Sequence, residues 1–138
     1  MKILVSACLL GENCKYNGGN NYSEKVAAFV AGREVIPVCP ETLAGLGIPR
    51  TPIEIRGDQV ISKTGEDVTD SLIRAIKTIL SQIADEDIQC AVLKSRSPTC
   101  GVKQVYDGTF TGTLIDGSGV LAAALKMFGI PVIDAEDL

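Results

Sequence analysis

Short apolar runs alternate with longer amphipathic segments along this chain. The runs at 2–5, 35–38, 90–93 and 130–133 each contain a β-branched residue and are bounded by turn-forming or polar residues, which predicts four buried strands. Nearly continuous apolar runs are typical of strands that are covered on both faces of a parallel sheet. Pro37 interrupts the second run and predicts an edge position or a bulge, because proline donates no ladder hydrogen bond.

The amphipathic segments between these runs predict helices. The strongest extends from about residue 67 to 83, where the apolar residues fall at spacings of three and four. A shorter helix is capped by Ser23 and ends at Gly32, and another covers 120–128 and is closed by Gly129. Helices and strands therefore alternate through most of the chain.

Two further segments are predicted to be extended. Residues 51–62 carry isoleucine and valine on both sides of Arg56-Gly57-Asp58, which favours a β-hairpin outside the main sheet, and 109–115 favours a short extended arm. Together these patterns predict an α/β fold: a single Rossmann-like, three-layer domain over 1–138, with a mainly parallel sheet of about four strands and a β-hairpin excursion.

The composition excludes several kinds of catalysis. Among 138 residues there is no histidine, so a Ser-His-Asp triad, a Cys-His pair and a histidine-ligated zinc site are all impossible. Any general acid or base must be Asp, Glu, Lys, Tyr or Cys. The formal net charge of −4 argues against a nucleic acid polymer as partner.

The chain shows no apolar run of membrane length and no signal segment at its beginning, so we expect a cytoplasmic protein without a membrane partner. A domain of this size buries enough surface to be stable without disulfides. The five cysteines are therefore free for another use.

Three cysteines follow predicted strands. Cys8 comes after the first strand, Cys39 ends the second, and Cys100 lies in the loop after the third. Because the carboxyl ends of parallel strands share one edge of a sheet, we expect these thiols to converge in one crevice. Cys14, six residues after Cys8, either reaches this crevice or lines it, whereas Cys90 lies within a strand and is expected in the core.

Converging thiolates without imidazole favour zinc or an iron-sulfur cluster. Structural zinc usually takes four ligands from close pairs such as CxxC, and no CxxC occurs in this chain. Three thiolates would leave one iron of a four-iron cluster open to bind a substrate.

Five segments resemble the motifs of the thiouracil desulfurase family, and the resemblance extends over essentially the whole chain. They are Ser6-Ala7-Cys8-Leu9-Leu10-Gly11 with Cys14 and Tyr16, Val38-Cys39-Pro40-Glu41, Gly45-Leu46-Gly47-Ile48-Pro49-Arg50, Ser95-Arg96-Ser97-Pro98-Thr99-Cys100-Gly101, and Tyr106-Asp107-Gly108-Thr109-Phe110. The chain departs from many relatives at Thr51, where they have proline, and at Thr99, where they have serine.

This resemblance implies a [4Fe-4S] cluster that only Cys8, Cys39 and Cys100 hold and that aerobic preparation can remove. Its free iron would capture the sulfur of a thiolated pyrimidine such as 2-thiouracil, a small-molecule partner. Water would replace that sulfur, giving the oxo base and sulfide without net redox change. Cys14 also matches a family cysteine, and we expect it beside the cluster rather than on it.

Glu41 matches the acidic residue of the family's Cys-Pro-Glu motif and Ser97 matches the serine before Pro98, and we predict that both are catalytic. Glu41 would activate water or protonate the ring nitrogen, but a carboxylate that stabilises a helix start explains its position nearly as well. Ser97 would orient the base or the water, or would simply form the turn before Pro98. Arg50 is expected to pair with Glu54 or to cap its own loop.

Two other functions fit the residues alone. One is a thiol redox or persulfide-handling enzyme that uses Cys8 and Cys14, although the missing CxxC disfavours it. The other is a metal-free module that binds a small molecule and in which the thiols are incidental. The sequence leaves the physiological base and the oligomeric state open.

Overall fold

The computed structural model describes all of residues 1–138 and has a mixed α/β fold. The central sheet contains four parallel strands, β1 (Lys2–Ser6), β2 (Glu34–Val38), β5 (Ile88–Leu93) and β8 (Val132–Asp134). Their order across the sheet is β2-β1-β5-β8. The predicted four-stranded parallel sheet is confirmed, and Pro37 lies on the edge strand β2, as the interrupted pattern predicted.

Two antiparallel hairpins and four helices complete the fold. The hairpins pair β3 (Ile53–Arg56) with β4 (Gln59–Ser62), and β6 (Gln104–Tyr106) with β7 (Leu114–Asp116). The helices are α1 (Glu24–Val30), α2 (Pro40–Leu43), α3 (Thr69–Ile83) and α4 (Val120–Met127). None of these helices combines the length and the apolar character needed to cross a membrane.

The extended arm that we predicted at 109–115 is wrong for most of its length. Only its last two residues belong to β7, and the rest forms the connection between β6 and β7. The Asp107 carboxylate accepts hydrogen bonds from the backbone N–H and the hydroxyl of Thr109, which favours a turn. Phe110 has a φ of 58°, a left-handed conformation that no strand contains.

The helices cover both faces of the sheet and so form three layers. Val26 and Val30 of α1 pack with Ile3, Val5 and Val92 on one face. The apolar stripe of α3 packs on the other face together with α4, where the buried residues include Leu4, Ile76, Ile79, Ala91, Leu121 and Leu125. Burial of each large aliphatic side chain contributes about 1.5–3 kcal/mol. The sheet therefore forms a rigid base for the loops at its edge.

The strand order creates a crevice between β1 and β5. The chain leaves β1 toward β2 on one side of the sheet, and it later returns to place β5 on the other side. Connections that leave in opposite directions open a crevice at the carboxyl ends of the strands. The Ser6 hydroxyl accepts the Lys94 N–H at 3.0 Å and ties the two strand ends together.

The loop after β5 is docked on the first turn of α4. Val120 and Leu121 donate their N–H groups to the carbonyls of Pro98 and Thr99 at 3.1 and 2.8 Å, and Gly119 donates to Gly101 at 2.7 Å. The first N–H groups of a helix have no partner within the helix. In this protein the loop carbonyls satisfy them, so the loop has a fixed position.

Candidate active site

A cleft of about 460 Å³ lies at the carboxyl ends of β1, β2 and β5. Every cysteine that we placed in a loop lines it, together with both predicted catalytic residues. These residues are Cys8, Cys14, Cys39, Cys100, Glu41 and Ser97. Cys90 does not line the cleft and is buried in the core beneath α1, as its position within a strand predicted.

Each of the three strand-end cysteines is held by local structure. Cys8 lies in a single turn of 3-10 helix directly after β1, and Asn21 Nδ2 donates to its Sγ at 3.4 Å. Cys39 is the N-cap of α2, and the Thr42 hydroxyl donates to its Sγ at 3.1 Å. Cys100 is buried in the loop that docks on α4, with its Sγ 3.7 Å from the Thr99 hydroxyl.

Burial raises the pKa of three cysteine thiols that line the cleft. Burial raises the pKa of Cys100 to about 12. Burial, followed by the proximity of Cys39, raises the pKa of Cys14 to about 12, and burial also raises the pKa of Cys8. A thiol with a raised pKa is a poor nucleophile at neutral pH, but a bound metal can deprotonate it.

The donors in the cleft have the chemistry of an iron-sulfur site. Its cysteine side chains are accompanied by no histidine, and thiolates are the ligands that iron-sulfur clusters take. No three side chains of the His, Cys, Asp or Glu type lie close enough together to hold one metal ion in this structure.

Glu41 lies in the first turn of α2, and both of its carboxylate oxygens have partners. Arg50 Nε donates to Oε1 at 3.4 Å, and the Thr99 hydroxyl donates to Oε2 at 3.3 Å. The Glu41 side chain is 16% exposed, so it remains accessible from the cleft. Glu41 therefore lies both at the start of α2 and in the cleft, so the two roles considered for it do not exclude each other.

Arg50 forms an ion pair with Glu41, and the sequence did not predict this pairing. Its side chain is 5% exposed, and its guanidinium also donates to the carbonyls of Cys14 at 2.7 Å and Gly47 at 3.0 Å. The expected pairing with Glu54 is absent, because the loop turns Arg50 toward α2. The expected loop cap is present in these two carbonyl contacts.

Ser97 holds the backbone around Cys100. Its hydroxyl oxygen accepts the N–H groups of Thr99 at 3.2 Å and Cys100 at 3.0 Å, and it lies 3.1 Å from the Thr99 hydroxyl. Ser97 therefore forms the turn that we considered as the alternative to a catalytic role. The hydroxyl proton remains available to Thr99 or to a molecule in the cleft.

The comparison with known families gives a match over almost the whole chain. The model of the family described as 2-thiouracil desulfurase matches residues 3–137. The chain belongs to this family. The resemblance that the cysteine motifs indicated is thereby confirmed.

Two relatives agree with this assignment. A solved structure described as the [4Fe-4S]-dependent thiouracil desulfidase TudS is similar to this chain with a TM-score of 0.92 and 37% sequence identity. The similarity covers 99% of this chain and 92% of that one. The uncharacterized protein YbbK of Bacillus subtilis is 38% identical, over 99% of this chain and 97% of its own length.

Proposed function

We propose that this protein removes the sulfur of a thiolated pyrimidine of the 2-thiouracil type and releases the oxo base and sulfide. The observation that carries this proposal is the set of thiols lining one cleft at the switch point of the sheet, in a member of the 2-thiouracil desulfurase family. A cleft of about 460 Å³ is in the size range of small-molecule sites. Free thiolated bases suit it better than a polynucleotide does.

The name of the solved relative supports a [4Fe-4S] cluster, and Cys8, Cys39 and Cys100, which all line the cleft, are its proposed ligands. With three protein ligands, one iron stays open, and when bound the cluster supplies an electrophilic site that polarises the C–S bond of the substrate. Cys14 lies close to Cys39 and is proposed to line the cluster without binding it.

Glu41 is the proposed proton-transfer group. Its carboxylate accepts a proton from the attacking water and then passes this proton to the ring nitrogen, while Arg50 and Thr99 hold it in place. The Thr99 hydroxyl lies near both Glu41 and the Cys100 sulfur but has only one proton, so it donates to one of them at a time. Ser97 fixes the Cys100 backbone and offers its proton to the water or the base.

The thiol-exchange alternative is less well supported. It requires an accessible thiolate at Cys8 or Cys14, and both thiols have a raised pKa. Attack on sulfur depends on the thiolate fraction, which is small for such groups. The metal-free module does not agree with the [4Fe-4S] dependence stated for the solved relative.

Anaerobic reconstitution followed by a sulfide assay tests the proposal. The protein is loaded with iron and sulfide, and its colour, iron content and sulfide release from 2-thiouracil, 4-thiouracil and a thiolated transfer RNA are measured. We expect a brown protein that acts on a free base. Release of no sulfide from any of the three would overturn the activity, and turnover of the transfer RNA alone would overturn the small-molecule substrate.

The proposed ligands are tested by single alanine variants. Cys39→Ala should lose the cluster, because one of its three proposed protein ligands has been removed. Cys90→Ala, which changes a buried cysteine outside the cleft, is the matched control and should keep it. An iron content in Cys39→Ala equal to that of the parent protein would contradict the ligand assignment.

A further inference from the structure

The β3–β4 hairpin places a second carboxylate at the cleft. Glu54 lies in β3 between two isoleucines, is only 9% exposed, and lines the cleft. Its Oε1 accepts two backbone hydrogen bonds, from Gly108 N–H at 3.0 Å and Phe110 N–H at 3.1 Å. Both donors belong to the connection between β6 and β7.

The other oxygen of Glu54 has no protein partner. Oε2 takes part in no hydrogen bond or ion pair. Every fully buried side-chain oxygen of this protein has a hydrogen-bond partner, so Oε2 is not fully buried and remains in contact with solvent. The neighbouring arginines are engaged elsewhere, since Arg50 pairs with Glu41 and Arg56 donates to the Gly108 carbonyl at 2.6 and 3.2 Å. Glu54 thus differs from Glu41, whose two oxygens both have partners.

The position of Glu54 is rigid because the two hairpins approach each other closely. A Cβ on Gly108 would lie 2.7 Å from the Ile55 carbonyl oxygen and 2.9 Å from Arg56 Cβ, so only glycine permits this contact. Two backbone N–H groups fix Oε1, and the carboxylate plane then fixes Oε2 as well. An acceptor held in this way needs little further ordering to bind a ligand.

We propose that Glu54 Oε2 accepts a hydrogen bond from one of the two ring N–H groups that flank the thiocarbonyl carbon of a 2-thiouracil, and that it selects bases that retain this N–H. The inference rests on the proposed function and names the group that recognises its substrate. A base entering the cleft loses water from its ring N–H, and a carboxylate oxygen replaces that water. An N-methylated base provides no proton and leaves Oε2 unpaired, a mismatch that such sites reject strongly.

The test compares 2-thiouracil with its 1-methyl and 3-methyl derivatives as substrates of the reconstituted protein. The parent protein should use one methyl isomer with a kcat/KM at least about 10-fold below that of the other, because only one ring N–H faces Oε2. In Glu54→Gln this ratio should approach one, and the KM for 2-thiouracil should rise by about 10-fold or more. The glutamine carbonyl can still accept from Gly108 and Phe110.

Two controls separate recognition from structure. Glu66→Gln makes the same charge change at an exposed position outside the cleft, and it should leave the isomer ratio unchanged. Equilibrium dialysis of uracil, the expected product, gives a readout without turnover: Glu54→Gln should bind it at least about 10-fold more weakly than Glu66→Gln does.

The possible outcomes distinguish this inference from the proposed function. A parent protein that releases no sulfide from 2-thiouracil would refute the function itself. An active parent that treats both methyl isomers alike would overturn the role of Glu54, even if Glu54→Gln failed to fold. An isomer ratio in folded Glu54→Gln equal to that of the parent would overturn it as well.

Discussion

Replacing Gly119 by alanine tests whether the contact between α4 and the Cys100 loop controls the site. A Cβ at this position would lie 2.5 Å from the Thr99 carbonyl carbon, 2.6 Å from its oxygen and 2.8 Å from the Cys100 nitrogen. All three are backbone atoms and cannot rotate away. Gly119 itself has a φ of −65°, which alanine adopts without strain, so the effect is purely steric.

The magnitude follows from the distances. Ordinary contact begins at 3.4 Å, so the loop must move by about 0.9 Å, which is 3.4 minus 2.5. Such overpacking costs about 1–3 kcal/mol, and the weakened hydrogen bonds from Val120 and Leu121 add about 1 kcal/mol. We expect a loss of about 2–4 kcal/mol in the free energy of unfolding. In a protein of this size the Tm should fall by about 5–15 °C.

Thermal unfolding and iron analysis measure the two effects. Gly119→Ala should unfold at a lower temperature and bind less iron per chain, because Cys100 moves with its loop. Gly117→Ala is the matched control two residues away, where a Cβ would lie 3.4 Å from a Val105 methyl group and no backbone atom is close. Equal Tm values and equal iron contents for the two variants would refute the reasoning.

Two further predictions concern proton transfer. Glu41→Gln should retain its iron and lose most sulfide release, because an amide neither accepts nor donates the required proton; a parental rate would leave Glu41 only its role at the start of α2. Thr99→Val should lower kcat by about 10-fold, because the Glu41 carboxylate loses its hydroxyl donor, whereas Thr99→Ser should keep near-parental activity. Equal kcat values for the valine and serine variants would show that this hydroxyl is dispensable.

The sheet was predictable because its strands are buried on both faces and therefore form continuous apolar runs. The same physical reason explains the missed hairpin: the three residues of β7 are all exposed, so their sequence carries no burial pattern. The short helix α2 was foreseen only as a helix start that Glu41 could stabilise, since its four residues are too few to show a helical period.

The convergence of Cys8, Cys39 and Cys100 was predictable from their positions at strand ends. The partners of Glu41 were not, because Arg50 and Thr99 reach it through loops whose paths no periodicity specifies. Glu54 was missed for a similar reason. Within an apolar strand it resembles an ordinary outward-facing residue, and only the approach of the second hairpin gives it two N–H donors and a place at the cleft.

The three strand-end cysteines arrive on β1, β2 and β5, and this has a consequence for the order of assembly. β1 pairs with β5 across more than 80 residues of chain, as Lys2 lies opposite Ile88. Contacts over such separations form late in folding, after the local turns and helices. If these cysteines bind a cluster as proposed, the binding site is complete only when the sheet has formed, so iron would be inserted into a nearly finished fold. The bound cluster would then link three strands at once and stabilise the sheet as a whole, and its removal would lower the stability of the entire domain.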